Sequence, residues 1–503
     1  MSELHSLPRS LPEEQAISSR AITEFVKAVE AKELELHSFM LLRHGQVAAE
    51  GWWHPYRANL PHMLYSLSKS FTSTAIGMAA REGLLSVNDP VVSFFPDDLP
   101  SDLDAQMASM RVRHLLTMTT GHDDDAMTRM SATHPQHLVR GFLHSTLEFE
   151  PGTHFSYNNG ATYMLSAIVQ QVSGQTLFDY LQPRLFQPLG IVGATWTKCS
   201  RGINMGAFGL SLKTEDIAKF GQLYLQEGLW QGNRILSESW IEEATSPFLS
   251  VQSESVSDWE QGYGYQFWRC RHHAYRGDGA FGQFCVIMPD QDAVLAITSG
   301  VRDMQAVLDC VWEHLLPALG DAGTVSISPE DTVAQAALRQ QLEVLALLPP
   351  RTQAGFARGA RALPVHPASL RYEMEENTDG IEFIQFQFEA DGQCLFTQWD
   401  ERGEHRVLIG HEEWVESETE AQPQVFRIVA SGAWQDENSF IMTWRFVETP
   451  YVKTMRCFFE EGTVHIKSSM NVSFGSTELP PMKGKMHGIH RSSEHIHTEP
   501  QSE

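Results

Sequence analysis

The sequence predicts an α+β protein in two parts: an antiparallel sheet flanked by helices with a helical subdomain, then an antiparallel β sandwich or barrel. Three observations carry this expectation. At 503 residues the chain is too long for one ordinary domain and long enough for two, each with a sizeable core. Its first part reads in the order helix, strands, helical middle, strands, helix, which suits one antiparallel sheet with helices packed on it. From Gly320 the character changes, and residues 369–475 read almost wholly as strands.

Residues 12–34 suggest a helix, and "SFMLLRHGQVAAEGWW" follows as two strands about a His44-Gly45 turn. The stretch "HMLYSLSKSFTSTAIGMAAREGLL" then opens what reads as an amphipathic helix. Helical and loop segments fill residues 86–245, among them "VRHLLTMTTGH" and "ATYMLSAIVQQVSG". Strand signals return at "GYGYQFWRC", "AYRGDGAFGQFCVIMP" and "DAVLAITSG", with a turn at Pro289-Asp290, and "DMQAVLDCVWEHLLPAL" closes the part as a helix. Residues 1–318 are therefore expected as the first domain and residues 319–368 as a linker carrying a helix at "VAQAALRQQLEVLALL". Turn residues recur between the strands of a β-rich domain over 369–485, and 486–503 form a polar tail with four histidines.

A net charge of −26, from 63 acids against 37 bases, argues against nucleic-acid or anionic-membrane partners, which need clustered Lys and Arg. No apolar run approaches the roughly 20 residues that span a bilayer, and the N-terminal stretch lacks the apolar core of a signal peptide. A cytoplasmic protein is expected. The cysteines (Cys199, Cys270, Cys285, Cys310, Cys394, Cys457) form no Cys-x-x-Cys pair, so free thiols are expected.

Chemistry concentrates in three places. Ser66 is the only serine with a Lys three positions on, and residues i and i+3 share one helix face, so Ser66 and Lys69 can touch. A helix-capping Ser and an exposed Lys are the simple alternative, but the neighbours Leu64, Leu67, Phe71, Ala75 and Ile76 are apolar and place Lys69 in partial burial. Tyr157-Asn158-Asn159 is the only Tyr-x-Asn, and "YRGDGAFGQF" puts Gly277, Gly279 and Gly282 on a late strand, where they allow close backbone approach. Each alone is weak, since Tyr-x-Asn also makes turns and glycine also makes bulges. "GHDDDAM" invites a metal at His122, Asp123, Asp124 and Asp125, but consecutive acids usually form a solvated loop or cap; no metal and no cofactor are expected. Gly-x-Ser-x-Gly, Gly-x-x-x-x-Gly-Lys and His-Glu-x-x-His are missing from the sequence.

In this order the three motifs resemble those of the serine β-lactamase and penicillin-binding-protein superfamily, in particular its class C-like esterases, D-amino-acid peptidases and amide hydrolases. The resemblance covers residues 15–318, through "LYSLSKSFTSTAIG", "VRHLLTMTTGH", "PGTHFSYNNG" and "GYGYQFW". It implies Ser66 as acylated nucleophile, Lys69 as its activating base, Tyr157 as second base and leaving-group acid, and Asn159 as ligand of a substrate amide. By the same resemblance the backbone N–H groups of Ser66 and Ala280, beside Gly279, would hold the oxyanion. The third motif departs from the family: its cationic position falls on Gly277, in Gly277-Asp278-Gly279. The resemblance thus implies a serine hydrolase acting on a small-molecule ester, amide or peptide. The alternatives are a non-catalytic or slowly acylating penicillin-binding-type sensor, and a D-amino-acid peptidase or β-lactamase proper. A homo-oligomer is among the open assembly states.

Overall fold

The computed structural model describes residues 6–248, 256–320, 328–353, 369–419 and 426–487. The chain divides into two compact units, one of residues 1–347 with Val447–Pro450, the other of the remaining residues from Leu348 onward.

In the first unit, α1 (Ser19–Ala31) leads into β1 (Leu36–Arg43) and β2 (Gln46–Trp52). His44 and Gly45 both take positive φ, 49° and 72°, the mirror-image turn whose twist matches a hairpin. The helical stretch follows with α2 (Ser68–Arg81), α3 (Ala126–Thr133), α4 (Asn159–Ser173) and α5 (Thr214–Leu225). The sheet is then completed by β3 (Trp268–Arg269), β4 (Tyr275–Gly279), β5 (Gln283–Met288) and β6 (Ala293–Ser299), before α6 (Met304–Cys310) and α7 (Pro329–Glu343). The six strands lie antiparallel in the order β2-β1-β6-β5-β4-β3.

Strand alternation sorts the core into two layers. Met40 and Leu42, Cys285 and Ile287, Val294 and Ala296 face one cluster with Phe71, Ile168 and Phe220 of α2, α4 and α5. Phe39 and Leu41, Phe284 and Val286, Leu295 and Ile297 face the other, with Phe25, Val307 and Leu338 of α1, α6 and α7. Both sheet faces are covered, which is why these strands read as continuous apolar runs. Each fully buried side chain of this kind stabilises by roughly 1.5–3 kcal/mol.

Two expectations change here. The helix expected to be amphipathic, α2, is buried from Ser68 to Ala79, and three of its hydroxyls find carbonyl acceptors: Ser70 donates to Gln266 C=O at 2.9 Å, Thr72 to Gly206 C=O at 2.9 Å, Thr74 to Ser70 C=O at 2.8 Å. The helix placed in the linker, α7, belongs to the first unit, because Leu338 and Leu345 enter its core and Gln335 donates to Glu13 at 2.8 Å.

The second unit is a closed barrel. Its strands are β7 (Ser369–Met374), β8 (Phe383–Phe388), β9 (Cys394–Asp400), β10 (Gly403–His411), β11 (Val415–Thr419), β12 (Phe426–Trp434), β13 (Ser439–Phe446), β14 (Val452–Glu460), β15 (Thr463–Met470) and β16 (Met482–Met486). Parallel pairing of Gly410 with Ser431 and His411 with Gly432 joins β10 to β12 and closes a ring from which only β11 is left out. Sandwich and barrel were both open in the sequence; the interior Phe386, Phe396, Met442 and Ile466 fill a barrel. The strand "MKGKM" has little β preference of its own and forms by pairing with β7 and β15. Most of the expected tail, residues 488–503, and parts of the expected linker, 321–327 and 354–368, lie outside the described residues. Among the described residues no helix is long and apolar enough to cross a membrane. All six cysteines are free thiols.

Candidate active site

Ser66 sits in a tight turn, Tyr65–Leu67, that feeds directly into α2. Tyr65 holds φ +48°, a conformation costly for a non-glycine residue, and this bend presents Ser66 beside Lys69. Lys69 Nζ is 2.9 Å from Ser66 Oγ, 2.7 Å from Asn159 Oδ1 and 3.0 Å from the Ala207 carbonyl oxygen. The Lys69 residue is 1% exposed. Burial lowers its pKa to about 7, against the opposing pull of Asp125 and Asp278. With its pKa lowered into the neutral range, Lys69 can shed a proton, keep two N–H groups on Asn159 and Ala207, and turn its lone pair to the Ser66 hydroxyl.

Tyr157 hydrogen-bonds to Ser66, and Lys69 Nζ lies 4.8 Å from its ring centroid. Packing against Trp268 and Tyr263, and then the negative charge of Asp278, push its phenol well above the ordinary value. The arrangement therefore keeps Tyr157 a phenol in the resting site.

Asn158 caps α4 by accepting from Ala161 N–H at 3.1 Å, which leaves Asn159 at the first turn, facing Lys69. Gly279 lies flush on the Tyr65–Leu67 turn: a Cβ there would collide with the Leu64 carbonyl and stand 3.0 Å from Ser66 N. Ala280 begins the turn from β4 into β5. The structure thus brings Ser66, Lys69, Tyr157 and Asn159 together, with Gly279 and Ala280 on the strand end beside them.

Residues 37–305, more than half of the chain, match the Beta-lactamase family. The chain belongs to that family. A 6-aminohexanoate-dimer hydrolase of Paenarthrobacter ureafaciens is 27% identical over 291 residues, 53% of this chain and 73% of that protein. Protein flp of Staphylococcus aureus (strain MW2) is 26% identical over 152 residues, 29% of this chain and 30% of that protein. The structure of an octameric penicillin-binding protein homologue from Pyrococcus abyssi aligns with a TM-score of 0.46 at 17% identity, over 93% of this chain and 99% of that one.

At the third motif of this Beta-lactamase family chain, Gly277 faces α2, and a Cβ there would stand 2.5 Å from both Leu67 Cδ1 and Ser70 Oγ. No side chain fits. Arg276 and Asp278 share the opposite strand face and pair with each other, Nε to Oδ2 at 2.9 Å. Arg276 is fully buried over Trp259, at 4.3 Å from its ring. Asp278 accepts from Trp268 and acts on Lys69 and Tyr157 through space.

Around the site, Phe155 and Trp268 pack on Tyr157 and Tyr263, and Tyr65 meets Phe281 edge-on at 5.5 Å. Trp53 packs into the core with Phe39. Sequence reasoning missed the Ala207 carbonyl, which carries no side-chain signal. It also missed Asp125, whose Oδ2 accepts from Asn159 Nδ2 at 2.6 Å. Asp125 lies in a run of three identical residues, so its place in the acidic string was the only signal available.

Proposed function

We propose that this chain is a serine hydrolase that cleaves an ester or amide through an acyl-enzyme on Ser66. The observation that carries the proposal is the buried Lys69 amine, 2.9 Å from Ser66 Oγ and depressed to about 7. As Ser66 Oγ bonds to the substrate carbonyl carbon, its proton passes to Lys69 Nζ. The oxyanion is held by the N–H groups of Ser66 and Ala280. Tyr157 gives its proton to the departing alcohol or amine, and the Lys69 ammonium stabilises the phenolate until the proton returns. Water then attacks the acyl carbon by the same steps reversed. The relative named 6-aminohexanoate-dimer hydrolase supports an amide among the substrates.

Treatment of the purified chain with a fluorophosphonate, with the adduct mapped by mass spectrometry, tests this directly, followed by a panel of esters, amides and β-lactams. The expected adduct is on Ser66, and Ser66→Ala should lose both label and turnover. A Ser66→Ala protein hydrolysing at the wild-type rate would sink the mechanism.

A further inference from the structure

The acidic run in "GHDDDAM" divides in two. Asp123 and Asp124 pair with Arg129 at 2.6 and 2.8 Å. Asp125 turns inward instead. Its Oδ1 accepts from Met127 N–H at 3.1 Å, which caps α3, and from the N–H groups of Asn159 at 2.8 Å and Gly160 at 3.3 Å. Its Oδ2 accepts from Asn159 Nδ2 at 2.6 Å. With the NH₂ group committed to a carboxylate, the amide is locked with Oδ1 toward Lys69.

We propose that Asp125 is a positioning residue of the hydrolytic site: acting through Asn159, it turns the Lys69 amine so that its lone pair faces Ser66 Oγ. The inference rests on the acyl-enzyme reading above. A flipped Asn159 would offer Lys69 a donor in place of an acceptor, and the lone pair would swing from Ser66 to that donor. Only an acceptor held opposite Nδ2 excludes the flip. Asp125 also carries charge to the site. Of the groups around Lys69, Asp125 and Asp278 both favour its ammonium, Arg276 offsets Asp278, and Tyr157 is neutral. Removing the Asp125 charge leaves burial less opposed, so Lys69 should shed its proton at lower pH.

A helix cap alone makes a different prediction, because Asn caps about as well as Asp. The rate of fluorophosphonate labelling of Ser66 is therefore measured against pH for the full chain, its Asp125→Asn variant and its Asp125→Ala variant, with thermal melts alongside. Asp125→Asn should melt near wild type, label about ten-fold or more slowly on the alkaline plateau, and show its acid limb roughly one pH unit lower. Asp125→Ala should add a loss of melting temperature. Wild-type labelling in Asp125→Asn, or slower labelling with an unmoved limb, would overturn the assignment. Should Asp125→Asn melt far below wild type, Asp125→Glu decides: a wild-type limb on restoring the charge supports the assignment, and a lowered limb overturns it. Wild-type protein that takes no label at any pH would overturn the acyl-enzyme reading itself, and the role of Asp125 with it.

Discussion

Lys69 shows how one buried residue sets both chemistry and cost. In the proposed mechanism its neutral form is the reactive one, so kcat/KM should rise through a limb near pH 7, the value to which burial lowers it, and level off above. A profile flat from pH 5 to 9 in the wild type would contradict this. The same burial destabilises the fold wherever Lys69 must be charged. Between about 7 and its ordinary value of 10.5 the unfolded chain binds more protons than the folded one, so this group makes stability rise with pH across that window. Lys69→Met removes the dependence. Denaturant melts should show the variant gaining on wild type by a few kcal/mol between pH 10 and pH 7; a difference independent of pH would show that Lys69 is not held neutral. Tyr157 moves the other way. Burial, and then Asp278, keep its phenol protonated, which suits it to donate. Tyr157→Phe should therefore lower kcat/KM by roughly 10²–10⁴-fold for an amide. The loss should be far smaller for an ester with a phenolate leaving group, which departs without a proton. Equal losses on both substrates would remove Tyr157 from the leaving-group step.

At the level of elements, the site depends on how closely β4 approaches the turn before α2. Gly279 and Gly277 permit it because a side chain at either would strike Leu64, Leu67 or Ser70. Gly279→Ala should push the strand from the Ser66 N–H, costing at least ten-fold in kcat/KM and roughly 1–3 kcal/mol of stability. Unchanged kinetics in Gly279→Ala would mean that this contact does not shape the oxyanion site. For the same reason Gly277→Lys should not install the missing cation of the third motif. The glycines were legible in the sequence as places of close approach, but what approached them was not. The burial of α2 on every side was hidden too, because Ser and Thr mimic an exposed face until their carbonyl partners on other elements are known.

Across the whole first unit, the charge layout predicts substrate choice. In relatives that act on β-lactams or C-terminal peptides, the resemblance implies a cation that meets the substrate carboxylate, worth roughly 1.5–3 kcal/mol or about ten- to a hundred-fold. Here Gly277 supplies none, and Arg276 is buried against Asp278. Neutral esters or amides should be hydrolysed well and penicillins or cephalosporins poorly. A kcat/KM for a cephalosporin above that of every neutral ester and amide would overturn this expectation. The placement of α7 predicts stability: a fragment ending at Ala318 loses Leu338 and Leu345 from the core. It should be less stable than one ending at Leu347 by roughly 3–6 kcal/mol, and equal denaturation midpoints would return α7 to the linker.

The sequence alone determined the fold class and the identity of Ser66, Lys69, Tyr157 and Asn159 as a candidate group, because spacing along a helix and the order of motifs are local and survive in one dimension. Only the tertiary structure decided that β10 meets β12 to close a barrel, that α7 packs on the sheet, and that Asp125 and the Ala207 carbonyl hold Lys69 and Asn159 in place. The contact of Lys69 with Ala207 alone joins residues 138 apart in the chain. Their physical basis, the removal of a charge from water and the direction of a lone pair, exists only once the core has closed around them.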